Sequence, residues 1–131
     1  MKTLTTLLAG LSLTVAVHAQ SLVDQTFYAN GRIQSTRFSD GRVERFITYY
    51  ADGRVQAMGG YRDGRRDGVW RQFDERGTVL AEARFANGKR TGTWEFRDAD
   101  NALKGRLHYN EGRLSAGEQY ADGALIAQRG Y

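Results

Sequence analysis

The sequence contains no cysteine and no proline, and only 2 histidines among its 131 residues. Without cysteine it can form neither disulfides nor thiolate–metal bonds. Beyond the N-terminal region the one remaining histidine is His108. A single imidazole does not make a tetrahedral zinc site, and a Ser-His-Asp catalytic site would depend on that residue alone. We therefore expect a protein that is not an enzyme, with no catalytic residue, no metal site and no cofactor, and with His108 as a half-exposed strand residue.

Long apolar runs are also missing, apart from one near the start of the chain. Lys2 is followed by a mildly apolar stretch, Leu4 to Val17, which has the length of a secretory signal core and is too short to span a bilayer. Val17-His18-Ala19 has the small-x-small form of a cleavage site. We predict a signal peptide over 1–19 and a mature chain over 20–131 that is soluble, has no transmembrane segment and is periplasmic or secreted.

The chain has no large excess of charge of either sign. It has 19 basic and 15 acidic residues, a formal net charge of +4. That charge density is far below what a dedicated nucleic-acid binder carries, so we predict no nucleic-acid partner.

Glycine, with 16 residues, is abundant and recurs in one short phrase: an aromatic residue, a spacer, an acidic residue or Asn, then Gly. The copies are Tyr28–Gly31, Phe38–Gly41, Tyr50–Gly53, Tyr61–Gly64, Phe85–Gly88, Tyr109–Gly112 and Tyr120–Gly123, with a looser one at Phe73–Gly77. Asp-Gly and Asn-Gly favour turns because Gly adopts positive φ without steric cost. The phrase fits a type I turn that closes with Gly in the left-handed region, a three-residue hairpin loop with a bulge.

Between these turns, side chains alternate with the period of a strand. Val79, Ala81 and Ala83 fall on one face, whereas Leu80 and Glu82 fall on the other. We predict an all-β fold, a single antiparallel meander of stacked β-hairpins with roughly nine or ten strands, forming one repeat domain over 20–131. Each hairpin would contact only its neighbours, so stability should be nearly additive along the chain.

Two strict copies of a longer pattern lie 24 residues apart. Tyr61-x-x-Gly64-Arg-Arg-x-Gly68-x-Trp70 aligns with Phe85-x-x-Gly88-Lys-Arg-x-Gly92-x-Trp94. The residues that we assign to the structure of the repeat are Tyr61, Gly64, Gly68, Trp70, Phe73, Gly77, Phe85, Gly88, Gly92, Trp94, Tyr109 and Gly112.

This pattern resembles the MORN-repeat variant found in bacteria, closely over 61–112 and weakly over 27–60 and 113–131. The resemblance implies a β-hairpin array with a binding role, and proteins of this type are often labelled antitoxin-like. One departure is local: Phe96 lies two residues after Trp94, whereas Phe73 lies three after Trp70. We expect a register shift or bulge there.

Basic residues supply the candidate binding site. Six turn glycines are followed directly by a base, and in two turns a second base follows. The first set is Arg32, Arg42, Arg54, Arg65, Lys89 and Arg113, and the second is Arg66 and Arg90. Arg65, Arg66, Lys89 and Arg90 lie one repeat apart and should cluster, where they could hold phosphates or carboxylates. In the alternative, Asp40, Asp52, Asp63 and Asp67 pair with the turn bases, which then only solubilise the surface.

The aromatic residues also allow two interpretations. Trp70, Trp94, Phe73, Phe85 and Tyr109 could form a stacking platform, but aromatics at repeat spacing more often form the core of each hairpin, and we adopt that interpretation. A single-layer sheet nevertheless has a face that the chain cannot cover, and that face is a candidate partner surface.

Acidic residues offer no persuasive site. Asp98-Ala-Asp100-Asn101 suggests a calcium loop, but Leu103 and Tyr109 stand where an EF-hand requires Gly and Glu. We interpret this segment as a turn.

The resulting functional expectation is an exported, non-catalytic β-repeat protein that mediates protein–protein interaction. Two alternatives remain open. One is a neutraliser of a toxin or effector, of the antitoxin or immunity type. The other is a binder of an anionic lipid or cell-wall surface through the Arg/Lys turns.

Overall fold

The computed structural model describes residues 19–131, so the predicted signal peptide lies outside the described residues except for Ala19. This part of the chain consists of strands and turns. The eleven strands are β1 Ser21–Phe27, β2 Ile33–Ser39, β3 Val43–Tyr49, β4 Val55–Arg62, β5 Arg65–Phe73, β6 Val79–Ala86, β7 Lys89–Arg90, β8 Gly92–Arg97, β9 Leu103–Asn110, β10 Arg113–Ala121 and β11 Ala124–Gly130. Over 19–131 there is no helix that could cross a membrane.

All eleven strands pair antiparallel in chain order within one sheet, which confirms the predicted all-β meander. β7 and β8 both pair with β6 and occupy one position, interrupted at Thr91. Across the sheet there are therefore ten strand positions, in line with the number of turns. A register shift lies between Phe96 and Arg97, but the equivalent shift lies between Gln72 and Phe73 one repeat earlier. The shift is therefore common to both copies and does not result from the departure at Phe96.

Alternate turns lie at opposite ends of the strands and form two rims. At the first, which we call the long-turn rim, Gly31, Gly53 and Gly77 have φ angles of 83°, 94° and 86°. The Tyr28 N–H bonds to the Arg32 carbonyl at 2.8 Å, and the Gly31 N–H bonds to the Tyr28 carbonyl at 2.9 Å. These are the predicted three-residue loops that close with Gly in the left-handed region.

The opposite, short-turn rim differs from the prediction. In the turns Asp63-Gly64, Asn87-Gly88 and Glu111-Gly112, both residues have positive φ. Positive φ at both central positions defines the two-residue type I′ hairpin, whose twist matches that of the flanking strands. The prediction of one loop type for every phrase was wrong here, because Asp-Gly and Asn-Gly are compatible with both loops. At Tyr28 and Tyr50 the aromatic of the phrase flanks its three-residue loop, whereas at Tyr61, Phe85 and Tyr109 it lies one residue deeper in the strand.

Gly68 and Gly92 are equivalent backbone irregularities one repeat apart, with φ angles of 75° and 66°. At Gly68 the pairing of β4 and β5 shifts register, and at Gly92 the strand restarts as β8. The Trp two residues later then lies across the preceding strand. Trp70 Nε1 donates to the Gly60 carbonyl at 3.1 Å, and Trp94 Nε1 donates to the Arg84 carbonyl at 3.1 Å.

The sheet has no enclosed hydrophobic core. Among residues 19–131 no hydrophobic side chain is buried, and the most buried residues are Thr36 and Ser35, at 2% and 8% exposure. Our interpretation of the aromatics as a hairpin core therefore needs correction. They are half-buried and pack against one another on one face, because a single-layer sheet supplies no second layer to enclose them.

Candidate functional site

Side chains that pair across neighbouring strands share a face, and these pairings divide the sheet into two chemically different faces. One of them, which we call face A, carries an aromatic ridge that runs across the strands from β3 to β9. The ridge consists of Phe46, Tyr61, Trp70, Phe85, Trp94 and Tyr109, with successive ring centroids 6.4, 5.2, 6.4, 5.3 and 4.7 Å apart. Such tilted and edge-to-face contacts stabilise each ring through its neighbours.

Two arginines of the predicted site lie on this ridge. The Arg66 Cζ is 4.9 Å from the Trp70 ring centroid and 5.4 Å from that of Phe85. One repeat later, the Arg90 Cζ is 5.8 Å from the Trp94 centroid and 5.7 Å from that of Tyr109. Cation–π contacts of this kind hold a guanidinium over aromatic rings and leave its N–H groups available for a ligand.

The other two predicted bases lie on neighbouring turns of the short-turn rim. Arg65 Nη1 donates to Asn87 Oδ1 at 3.4 Å, and its side chain covers the backbone of Gly88. The Lys89 side chain covers Gly112 in the same way, 3.7 Å from the position that a Cβ would take there. All four bases therefore lie at one rim, but the alternation of strand side chains places only Arg66 and Arg90 on the ridge.

The proposed pairing of turn acids with turn bases occurs, but with other bases than these four. Asp63 pairs with Arg42 at 3.8 Å, and Asp52 pairs with Arg54 at 3.8 Å. Asp67 pairs with Arg62 at 3.2 Å, while Asp40 Oδ1 accepts from the backbone N–H of Val43 at 3.0 Å. Within residues 19–131, the exposed cations of Arg65, Arg66, Lys89 and Arg90 form no ion pair with a carboxylate. Their charges are therefore available at the surface.

Arginines at the long-turn rim have a structural role instead. Arg32 Nη1 donates to the Asp52 carbonyl at 2.7 Å, Arg54 Nη1 donates to the Glu75 carbonyl, and Arg76 Nη2 donates to the Ala99 carbonyl at 2.5 Å. Each of these bonds links one loop to the next. Sequence reasoning overlooked Arg76 because it precedes its turn glycine, although Arg32, Arg54 and Arg76 follow one another at intervals of 22 residues.

A depression opens on face A beside the ridge. Trp70, Phe85 and Trp94 form its walls, Ala57, Ala81 and Ala83 line its floor, and Arg66 lies at its margin. Ala81 and Ala83 belong to β6, which lies between the strands of Arg66 and Arg90. Small side chains on the floor leave room for an apolar group of a partner between the two tryptophans.

Face B, the opposite face, carries ion pairs across its C-terminal half. Glu82 contacts Arg71 at 2.9 Å and Arg84 at 3.1 Å. Glu95, which pairs with Glu82 across the strands, contacts Arg106 at 3.1 Å and Arg97 at 3.6 Å. The charges of these Glu and Arg side chains therefore neutralise one another at the protein surface.

A second depression opens on face B between β3 and β5. Its lining is partly apolar, with Val43, Ile47, Met58 and Val69, and partly charged, with Arg45, Asp67 and Arg71. Asp67 and Arg71 are already paired, with Arg62 at 3.2 Å and Glu82 at 2.9 Å. Face A is the better candidate, since Arg66 and Arg90 beside its depression have no carboxylate partner among the described residues.

His108 belongs to the polar network of face B, as a half-exposed strand residue. Its Nδ1 lies 3.0 Å from Thr93 Oγ1, and its Nε2 lies 3.2 Å from Glu118 Oε1. A hydrogen bond from the Tyr120 hydroxyl, together with His108, lowers the pKa of Glu118, and the same bond raises the pKa of Tyr120. In the described part of the chain, no cluster of three His, Cys, Asp or Glu side chains is placed to hold a metal.

The acidic segment at Asp98 is a turn, in line with our interpretation. Asp98 Oδ1 accepts from the backbone N–H groups of Asp100 and Ala102, each at 3.0 Å. The bond from Ala102 in particular lowers the pKa of this carboxyl. Asn101 takes the left-handed position that Gly77 takes one repeat earlier, with a φ of 64°.

Comparison with solved structures gives only distant similarity. A mutant of S. aureus TarM in complex with Fondaparinux, alpha-GlcNAc-glycerol and UDP has 8% identity and a TM-score of 0.39 over 82% of this chain and 21% of its own. A second TarM structure has 9% identity and the same TM-score over 82% of this chain and 20% of its own. The chain thus spans about a fifth of the structures it matches. No curated protein matches it.

The comparison with protein families matches the centre of the sheet. The matching segment, 66–87, runs from Arg66 in β5 through β6 to Asn87 in the next short turn. It contains Trp70 and Phe85 of the ridge. The family whose model matches this segment is described as the MORN repeat variant, so 66–87 is similar to one such repeat.

Proposed function

We propose that this chain is an exported, non-catalytic β-repeat protein that binds another protein through face A. The observation that supports the proposal is the uncovered aromatic ridge with the guanidinium groups of Arg66 and Arg90 held on it. The described chain forms one sheet and supplies no second layer over that ridge. An apolar surface that a folded chain leaves open and flanks with polar residues is typical of a partner site.

The chemistry of face A fits a protein partner. Interfaces are enriched in Trp, Tyr, Phe and Arg, and their most important residues are aromatic or Arg side chains near a pocket. Face A combines these residue types around the depression floored by Ala83. Across the C-terminal half of face B most charges are mutually paired, and exposed ion pairs contribute little to binding.

Affinity capture from extracts of the source organism tests this function. We expect the unmodified protein and Ala86→Gln, a change at an exposed residue of the same strand, to capture the same partner. Ala83→Gln should lose it, because the longer side chain fills the depression. Thermal unfolding of both variants shows whether the fold is kept. Equal capture by both folded variants would contradict binding through face A.

Neutralisation of a toxin or effector is the special case in which the partner is one protein bound at nanomolar affinity or better. The dissociation constant of the captured complex separates that case from a general interaction module.

A second candidate function is binding of an anionic lipid or cell-wall surface through the short-turn rim. The four cations without carboxylate partners favour it. It predicts liposome binding that falls steeply with salt, since screening weakens exposed charge contacts. Replacing Arg65, Arg66, Lys89 and Arg90 together by Gln should abolish that binding, and unchanged binding to anionic liposomes would rule this candidate out.

A further inference from the structure

Face B has a position without a side chain at Gly60, inside β4. The backbone there does not require glycine, because its φ is not positive and an added Cβ would come no closer than 3.4 Å to another atom. The equivalent bonds from Trp70 and Trp94 show that Arg84 takes the same position one repeat later, where it pairs with Glu82 at 3.1 Å. A glycine inside a strand weakens it, and often marks a place where a ligand approaches closely.

The depression of face B lies at this open position. Its volume is about 230 Å³, and its apolar lining consists of Val43, Ile47, Met58 and Val69. Clefts that hold drug-sized ligands measure about 300–1,000 Å³, so this depression suits a smaller molecule with an aliphatic group.

Two opposite charges flank the open position. Arg45 in β3 and Asp67 in β5 are the direct cross-strand partners of Gly60, and both line the depression. Within residues 19–131, Arg45 forms no ion pair with a carboxylate. Asp67 contacts Arg62 through Oδ2 at 3.2 Å and accepts from the Asn87 N–H through Oδ1 at 3.3 Å. Each carboxylate oxygen has two lone pairs, so Asp67 can still accept hydrogen bonds from a ligand.

We propose that this depression binds a free α-amino acid with an aliphatic side chain, of the size of leucine. Its carboxylate binds the Arg45 guanidinium, which holds such groups in a bidentate manner, and its ammonium group donates to Asp67. Its side chain contacts the apolar lining beside Gly60. A residue within a peptide carries neither backbone charge and a terminal residue carries only one, whereas a free amino acid carries both on one carbon atom. The site lies on the face opposite to the proposed partner surface, so the inference goes beyond the proposed function.

Leucine and three analogues test which groups the site recognises. 4-Methylpentanoate lacks the ammonium group, 3-methylbutylamine lacks the carboxylate, and alanine keeps both charges but has a shorter side chain. Titrations of the ¹⁵N-labelled protein followed by two-dimensional NMR measure the affinities and locate the site. We expect each analogue to bind about tenfold more weakly than leucine, because a charged group loses its partner or apolar contact is lost. No binding of leucine, or equal affinity of leucine and either singly charged analogue, would overturn the inference.

Matched protein variants locate the effect. Arg45→Gln should weaken leucine binding about tenfold, whereas Arg113→Gln, which removes an exposed cation outside the depression, should leave it unchanged. Gly60→Arg gives this position the residue that stands one repeat later, at Arg84, and should abolish binding by filling the depression, with thermal unfolding as the check on its fold. Equal affinity of the Arg45→Gln and Arg113→Gln variants for leucine would contradict the site, as would leucine binding by folded Gly60→Arg.

Discussion

At the scale of single residues, the contact between Gly59 and Trp70 makes the ridge possible. A Cβ on Gly59 would lie 2.0 Å from Trp70 Cδ2, far inside van der Waals contact. Gly59 is not part of the recurring phrase, and Ala83 stands one repeat later. The sequence therefore predicted Trp70 as a repeat residue, but could not predict that this glycine gives it room, because the requirement arises from a contact across strands.

Gly59→Ala should lower the free energy of unfolding by about 1–3 kcal/mol, the usual cost of overpacking, because the Trp70 ring must move. The neighbouring Gly60→Ala is the control, since its Cβ would come no closer than 3.4 Å to another atom. Urea denaturation followed by tryptophan fluorescence measures both. Equal stability of the two variants would show that the ring does not lie over Gly59.

At the scale of elements, the turn phrase predicted where hairpins close but not how. Tyr50-Ala-Asp-Gly53 closes a three-residue loop, whereas Tyr61-Arg-Asp-Gly64 closes a two-residue turn. Both loops accept Asp-Gly, so the choice depends on the register of the flanking strands, which only the assembled sheet fixes. The register also decides where the four predicted bases lie. We expected them to form one cluster, but Arg66 and Arg90 lie on the ridge, whereas Arg65 and Lys89 lie over the neighbouring turns.

The turn at Asp98 makes stability depend on pH. Its folded-state pKa is lowered, first by the hydrogen bond from the Ala102 N–H, so the carboxylate contributes stability above the ordinary pKa of an Asp. That contribution is lost as the pH falls through the lowered pKa. Asp98→Asn keeps an acceptor oxygen without a titrating group. We expect the free energy of unfolding of this variant to fall less between neutral and acidic pH than that of the unmodified chain. Urea denaturation at a series of pH values measures both. Parallel plots of unfolding free energy against pH would contradict this expectation.

At the scale of the whole molecule, each hairpin contacts only its neighbours in a sheet without an enclosed core. Stability therefore comes from local pairings, such as the ridge contacts and the long-turn arginines, added along the chain. The sequence could predict the meander from its turns and alternation. It could not predict which face carries the exposed aromatic residues, because each strand has apolar residues on both of its faces. Only the pairing between strands shows that the aromatic residues share one face and the ion pairs share the other.

A chain that ends at Asn110, and so lacks β10 and β11, should still fold. Both tryptophans and the ridge up to Tyr109 remain, so tryptophan emission should stay native-like. The dependence of its unfolding free energy on urea concentration should be weaker, because a shorter repeat array exposes less surface when it unfolds. Far-UV circular dichroism that shows a disordered chain would contradict additive stability.

Site-specific photo-crosslinking tests most directly which face of the sheet meets the partner. Gln72 and Arg71 are adjacent exposed residues of β5 whose side chains lie on face A and face B, respectively. A photoreactive amino acid at Gln72 should form a discrete crosslinked product with a partner protein in the native organism, and the same amino acid at Arg71 should not. A product from Arg71 with none from Gln72 would contradict the account.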